Sequence, residues 1–189
     1  MLVPLTPLDW LRRAVKYYPE KLAVVDEGKR FTYRQFAERV NRLSNALRQA
    51  GIGPGDHVAV IMPNTHPMLE CFYGIAQLGA VMVPLNYRLN ADDFAYILNH
   101  SDSKMLLLDA EFAKPIEAIQ DQLPNIQKYV VVSVDGFETS LPHTDYEAFL
   151  AGASPEKPPQ VDIDENQMIT LNYTSGTTSR PKGVMLTHR

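Results

Sequence analysis

Apolar residues recur along this chain with two alternating periods, and the alternation sets the expected architecture. Leu8, Leu11, Val15 and Tyr18 fall on one helical stripe that Pro19 closes. Lys21 to Asp26 then reads as a strand turning at Gly28. From Thr32 the helical period returns. Phe36, Val40, Leu43 and Leu47 share a face, Thr32 and Gln35 have capping-box spacing, and Gly51 suits a left-handed C-terminal cap. Gly53-Pro54-Gly55 predicts a tight loop and His57 to Met62 a short buried strand.

The same alternation continues. Pro67 fits the first turn of a helix running to Gly79, with Leu69, Phe72, Ile75 and Ala76 as its packing face. Ala80 to Pro84 is strand-like. Asn90 caps a helix reaching Asn99, with Asp92 and Asp93 near its positive end. Lys104 to Leu108 predicts a strand, Glu111 to Leu123 a helix, and Lys128 to Val132 another strand. Met168 to Tyr173 is the last clear strand before a glycine-containing loop, and Gly183 to Leu186 begins a returning strand. The fold class is therefore α/β, a mostly parallel sheet flanked by helices. Residues 151–160, rich in proline and small residues, are either a domain boundary or a surface connector inside one domain. The connector is the preferred reading, so residues 1–189 are taken as one portion of a single domain.

Composition narrows the functional classes. With 45% hydrophobic and 21% charged residues the chain is an ordinary globular one, and a net charge of −4 gives no reason to expect nucleic acid. Cys71 is the single cysteine, which excludes an internal disulfide, argues against a cysteine-based metal cluster and fits a cytoplasmic location. No apolar run approaches the roughly 18 residues of a bilayer span. The N-terminus lacks the basic-then-apolar order of a signal peptide.

The most informative stretch is Thr174, Ser175, Gly176, Thr177, Thr178 and Ser179, followed by Arg180-Pro181-Lys182-Gly183. Small residues after a strand let the backbone approach a ligand, and successive N–H groups can form an anion-binding nest. The hydroxyls add donors, and Lys182 supplies a compact charge suited to a polyphosphate. Arg180 is either a second cation or a solvated side chain. From Gln167 to Arg189 there is no Asp or Glu, a local exception in an acidic chain. The loop is not of the Walker type, because five residues separate Gly176 from Lys182 and glycine follows the lysine.

The string Leu171-Asn-Tyr-Thr-Ser-Gly-Thr-Thr-Ser-Arg-Pro-Lys-Gly-Val184 resembles the AMP-binding signature of the adenylate-forming superfamily, which includes acyl-CoA synthetases, aryl-CoA ligases, firefly luciferase and peptide-synthetase adenylation domains. Phe31-Thr-Tyr-Arg-Gln-Phe36 resembles an early element of that family. Gln77-Leu-Gly-Ala-Val-Met-Val-Pro-Leu-Asn86 resembles its helix-to-strand element. Gly53-Pro-Gly-Asp56 and Met62-Pro-Asn64 are similar too, so the resemblance covers nearly the whole chain. Departures are Ser179 where glycine is common, Gln35 for glutamate and Gln77 for lysine.

The resemblance implies an enzyme that joins a carboxylic acid, a fatty acid by preference, to AMP and then passes the acyl group to coenzyme A. Its cofactors and co-substrates are ATP, Mg²⁺ and coenzyme A. Thr174, Ser175, Gly176, Thr177, Thr178, Ser179 and Lys182 are the expected phosphate-binding residues. The adenine, ribose, magnesium and catalytic-lysine elements of the family do not occur in this chain, so the 189-residue piece alone is expected to be inactive. Alternatives are an aryl-CoA ligase, a carrier-protein-loading adenylation domain, or a truncated, non-catalytic binding module.

Other residues carry less. Cys71, among Leu69, Phe72 and Ile75, reads as a small buried hydrophobe rather than a catalytic thiol. His57, His66, His100, His143 and His188 lack metal-ligand spacing. His188 follows the loop closely and is the one histidine weighed for an approach to the active site, though a non-functional role carries more weight. Asp92 and Asp93 are explained by the helix start, and Tyr87 and Arg88 by solvent exposure.

Overall fold

In the computed structural model, which describes residues 4–174 and 180–189, helices and strands alternate along the chain. Helix α1 (Leu8–Tyr17) leads to a hairpin of β1 (Leu22–Asp26) and β2 (Lys29–Thr32), then to α2 (Tyr33–Gln49). The pairs β3 (His57–Ile61) with α3 (His66–Ala76), β4 (Val81–Pro84) with α4 (Ala91–His100), and β5 (Met105–Asp109) with α5 (Ala113–Glu117) follow. The chain continues through β6 (Lys128–Val132), β7 (His143–Asp145), α6 (Tyr146–Ala151), β8 (Met168–Thr174) and β9 (Lys182–Thr187). Among the described residues seven strands form the main sheet, in the order β7-β6-β5-β3-β4-β8-β9. Every recorded pairing in it is parallel except β8 with β9.

Period-two alternation in the central strands builds a core on both faces of this sheet. Val58 and Val60 of β3, Met105 and Leu107 of β5 and Val130 of β6 point to one side, where Leu43, Leu47, Cys71 and Ile75 of α2 and α3 cover them. Ala59 and Ile61, Leu106 and Leu108, and Tyr129 and Val131 point to the other, under Phe94, Ile97 and Leu98 of α4.

Local signals act where the residues predict. The Thr32 side chain accepts from the Gln35 backbone N–H at 3.3 Å, while the Gln35 side chain accepts from the Thr32 N–H at 2.9 Å. The Asn90 side chain accepts from the Asp93 N–H at 2.9 Å and starts α4. Gly51 closes α2 with φ +90°, a left-handed conformation open to glycine at little cost.

Some expectations need correcting. The buried face of α3 is Met68, Cys71 and Ile75, whereas Leu69 and Phe72 are 38% and 42% exposed. The helix is apolar nearly all round, so spacing alone did not fix its rotation. The helix expected over 111–123 is broken into a 3₁₀ turn at Ala110–Phe112, α5, and a second 3₁₀ turn at Gln120–Gln122. Pro115 lacks an N–H and is tolerated only in a first turn, which restarts the helix at Ala113. The hairpin partner β2 and the short β7–α6 unit stand beyond the elements the periodicity predicts.

A charged cluster ties α2, α3 and α6 together. Arg39 donates through Nε to Glu70 at 2.6 Å and through Nη2 to Glu147 at 2.6 Å. Glu70 is fully buried and also accepts from the Tyr146 hydroxyl at 2.7 Å. Such a buried carboxylate is tolerated because its oxygens are hydrogen-bonded. Next to it His66 meets Asp26 twice, through its ring Nδ1 at 2.6 Å and its backbone N–H at 2.8 Å. Residues 153–156 of the connector follow α2. Arg42 donates to the Ala153 carbonyl, Asn41 to that of Pro155, and Asn45 to those of Ser154 and Glu156.

Candidate phosphate-binding site

Strands β8 and β9 form an antiparallel hairpin whose register pairs Asn172 with Val184, Tyr173 with Gly183, and Thr174 with Lys182. Directly opposed residues put their side chains on the same face of a sheet, with Cβ atoms about 5 Å apart. A hydroxyl and an ammonium therefore stand together at the mouth of the loop, and both residues are exposed. The parallel pairing of Met82 with Thr170 carries Thr174 past the level of Pro84, the last residue of β4. That places the pair beyond the carboxyl ends of the parallel strands, where open α/β sheets take their ligands.

The other expected phosphate ligands, Ser175, Gly176, Thr177, Thr178 and Ser179, lie outside the described residues. Thr174 and Lys182 are an exposed hydroxyl and an exposed cation held side by side.

Glycine at 183 has a steric reason. A Cβ there would stand 3.0 Å from Leu171 Cδ1 and 3.4 Å from Tyr173 Cζ. The ring of Tyr173 thus lies against bare backbone. Tyr173 Oη is 2.7 Å from His100 Nδ1, and the two rings meet edge to face at 5.8 Å. Burial, reinforced by the neighbouring Tyr96 and Asp102, pushes the Tyr173 phenol up to about 12, so it stays protonated and able to donate.

Arg180 does not simply point to water. Its guanidinium carbon lies 5.1 Å from the centre of the Tyr96 ring, within cation–π range. A cleft of about 640 Å³ opens here, lined by Asp92, Asp93, Tyr96, His100, Arg180 and Pro181 among others. The surroundings that are acid-free along the chain are thus not acid-free in space, because α4 brings two carboxylates beside Arg180. Asp92 and Asp93 do sit in the first turn of α4, as expected, and Tyr96 carries no motif in the sequence. The one available signal for α4 was the spacing of Tyr96 and His100, one helical turn apart on one face.

The remaining candidates sit elsewhere. His188 is buried at the opposite end of β9, roughly 20 Å along the strand from Lys182. Its Nδ1 is 2.9 Å from Thr6 Oγ1, and burial holds its pKa below the usual histidine value. Arg189, one of the basic residues of this segment, ion-pairs with Glu165 at that same far end. Cys71 is fully buried, and burial together with Glu70 raises its thiol well above the ordinary value, so it packs as a neutral hydrophobe. Tyr87 stacks on Phe112 at 4.7 Å, and Arg88 lies 5.6 Å from the centre of the Tyr87 ring. No group of three His, Cys, Asp or Glu among the described residues is placed to hold a metal ion.

The structure is thus a two-faced α/β sheet that carries a hydroxyl–lysine pair at the mouth of a small-residue segment. The chain belongs to the AMP-binding enzyme family, whose model matches residues 11–189. It is 38% identical to a peroxisomal acetate/butyrate–CoA ligase of Arabidopsis thaliana over 98% of its own length and 35% of that protein. It is likewise 38% identical to a 4-hydroxybutyrate–CoA ligase of Metallosphaera sedula, covering 98% of this chain and 34% of that one. Among solved structures, an anthranilate CoA ligase in complex with anthranoyl-AMP superposes with a TM-score of 0.92 at 26% identity, over 100% of this chain and 36% of that one. The chain spans about a third of the length of these relatives.

Proposed function

We propose that this chain is the phosphate-binding part of an ATP-dependent acid–thiol ligase. The observation that carries the reading is the pairing of Thr174 with Lys182 across the mouth of the loop. In the first half-reaction a carboxylate oxygen attacks the α-phosphorus of ATP, the α–β phosphoanhydride breaks, and pyrophosphate leaves. In the second the thiol of coenzyme A takes the acyl group and AMP leaves. The electrostatic difficulty lies in the first step, where an anion approaches an anion and charge moves onto pyrophosphate. A fixed hydroxyl and cation lower that barrier by meeting the charge where it develops. Lys182, Thr174 and the backbone and hydroxyls of residues 175–179 hold the β- and γ-phosphates in this proposal. Mg²⁺ would neutralise part of the phosphate charge in this proposal.

The acid is an aliphatic carboxylate in the preferred reading, extending to a fatty acid. Relatives named for acetate, butyrate and 4-hydroxybutyrate are 34–38% identical and more numerous than the one named for benzoate, at 34%. An aryl acid is the second reading, favoured by the close superposition on the anthranilate ligase. A cytoplasmic location rests on cysteine usage alone. No helix among the described residues is long and apolar enough to cross a membrane.

ATP–pyrophosphate exchange by the full-length protein, run with acetate, butyrate, long-chain fatty acids and benzoate, tests the proposal. Exchange that depends on one of these acids supports it and identifies the class. Phosphate or pyrophosphate release indifferent to every acid would overturn it.

A further inference from the structure

The five residues 175–179 are bracketed by two side chains that reach the same helix. Tyr173, on the strand entering the loop, meets His100 at 2.7 Å. Arg180, on the segment leaving it, lies over Tyr96 at 5.1 Å. Tyr96 and His100 are one turn apart on α4, and their own rings are 5.2 Å apart at 34°. The opposite face of α4 is anchored in the core by Phe94 and Ile97, both fully buried.

We propose that Tyr96 and His100 are positioning residues for phosphate binding: one face of α4 clamps both stems of the loop and so sets the tilt of the hairpin end that carries Thr174 and Lys182. This deepens the ligase reading and rests on it for its kinetic consequence. The geometric reason is economy of freedom. The placement of Thr174 and Lys182 depends on how the two stems are held. The register of β8 with β9 fixes the separation of the ends. It does not fix the tilt of the hairpin against the rest of the sheet, and contact with a second, core-anchored element does. The contacts of Tyr96 and His100 run to Arg180 and Tyr173, so they act through those two residues.

The test uses the full-length protein and reads two independent quantities. In the first, hydrogen exchange without nucleotide is compared between the wild type and Tyr96→Ala, His100→Ala and the double variant. Faster exchange at the Thr174 and Lys182–Gly183 end of the hairpin, with exchange around Met168–Thr170 unchanged, is expected. In the second, Tyr96→Ala raises the KM for ATP in adenylation by about 3- to 10-fold, the range of one or two exposed aromatic contacts. The KM for the carboxylate and the rate of thioester formation from preformed acyl-AMP stay within about two-fold. Tyr96→Phe keeps the ring face and restores the ATP value. Unchanged exchange at the hairpin mouth, or equal losses in both half-reactions, would overturn the clamp. If the wild type shows no acid-dependent exchange of pyrophosphate, the ligase reading falls and the hydrogen-exchange arm still decides the clamp.

Discussion

Thr174 and Lys182 are cross-strand partners in the β8–β9 hairpin, so the two ends of the small-residue loop put a hydroxyl and an ammonium on one face of the sheet. If this pair meets the charge that develops on pyrophosphate, Lys182→Ala in the full-length protein should slow adenylation by about 10²- to 10³-fold. Thioester formation from preformed acyl-AMP should change far less. Separate assays of the two half-reactions check this.

Arg39 should be a stability residue. Removing it by Arg39→Met leaves Glu70 buried without its cation, and the expected loss is about 3 kcal/mol or more in denaturant unfolding. Converting Glu70 to Gln in the same chain should recover part of the loss. A double variant no more stable than the single one would show that the pair is not the source.

The same cluster gives a pH dependence. Hydrogen bonds from Arg39 hold the Glu147 carboxyl below its ordinary 4.5. Burial alone would raise Asp26, but its hydrogen bonds from the His66 backbone and ring outweigh that and leave it below 3.8. Groups held low in the folded state contribute stability that is present above their ordinary values and lost as pH falls through the folded ones. The melting temperature should therefore drop as pH is lowered through and below about 4.5, and Glu147→Gln should flatten that drop.

Gly74 marks a close approach of α3 to α2. A Cβ at this position would stand 2.7 Å from Leu43 Cδ2 and 3.2 Å from its Cβ, and the Ser44 hydroxyl already donates to the Gly74 carbonyl at 2.7 Å. Gly74→Ala should destabilise by about 1–3 kcal/mol, as overpacking does, despite the better helix propensity of alanine. Thermal unfolding measures it, and an unchanged or raised melting temperature would contradict the packing argument.

What was legible in the sequence was what is local. The capping box of Thr32 and Gln35 and the cap at Asn90 act over three residues, and both form as their spacing predicts. Strand–helix alternation gave the parallel sheet for the same reason. The rotation of α3 was not legible, because an all-apolar helix offers several plausible faces and the sheet selects one. Nor was the Arg39 cluster, whose partners Glu70 and Glu147 are brought near only by the fold. At the site, the loop announced itself by composition, while Tyr96 and His100 lie on a different element, and nothing in their spacing names the hairpin they touch.

The connector at 153–156 shows where a route through space is specified. Asn41, Arg42 and Asn45 hold it by its carbonyl oxygens, which every amino acid supplies, prolines included. Much of the instruction for this stretch is therefore stored in α2. A change at Asn45, one residue holding two carbonyls, would redirect a segment more than a hundred positions away.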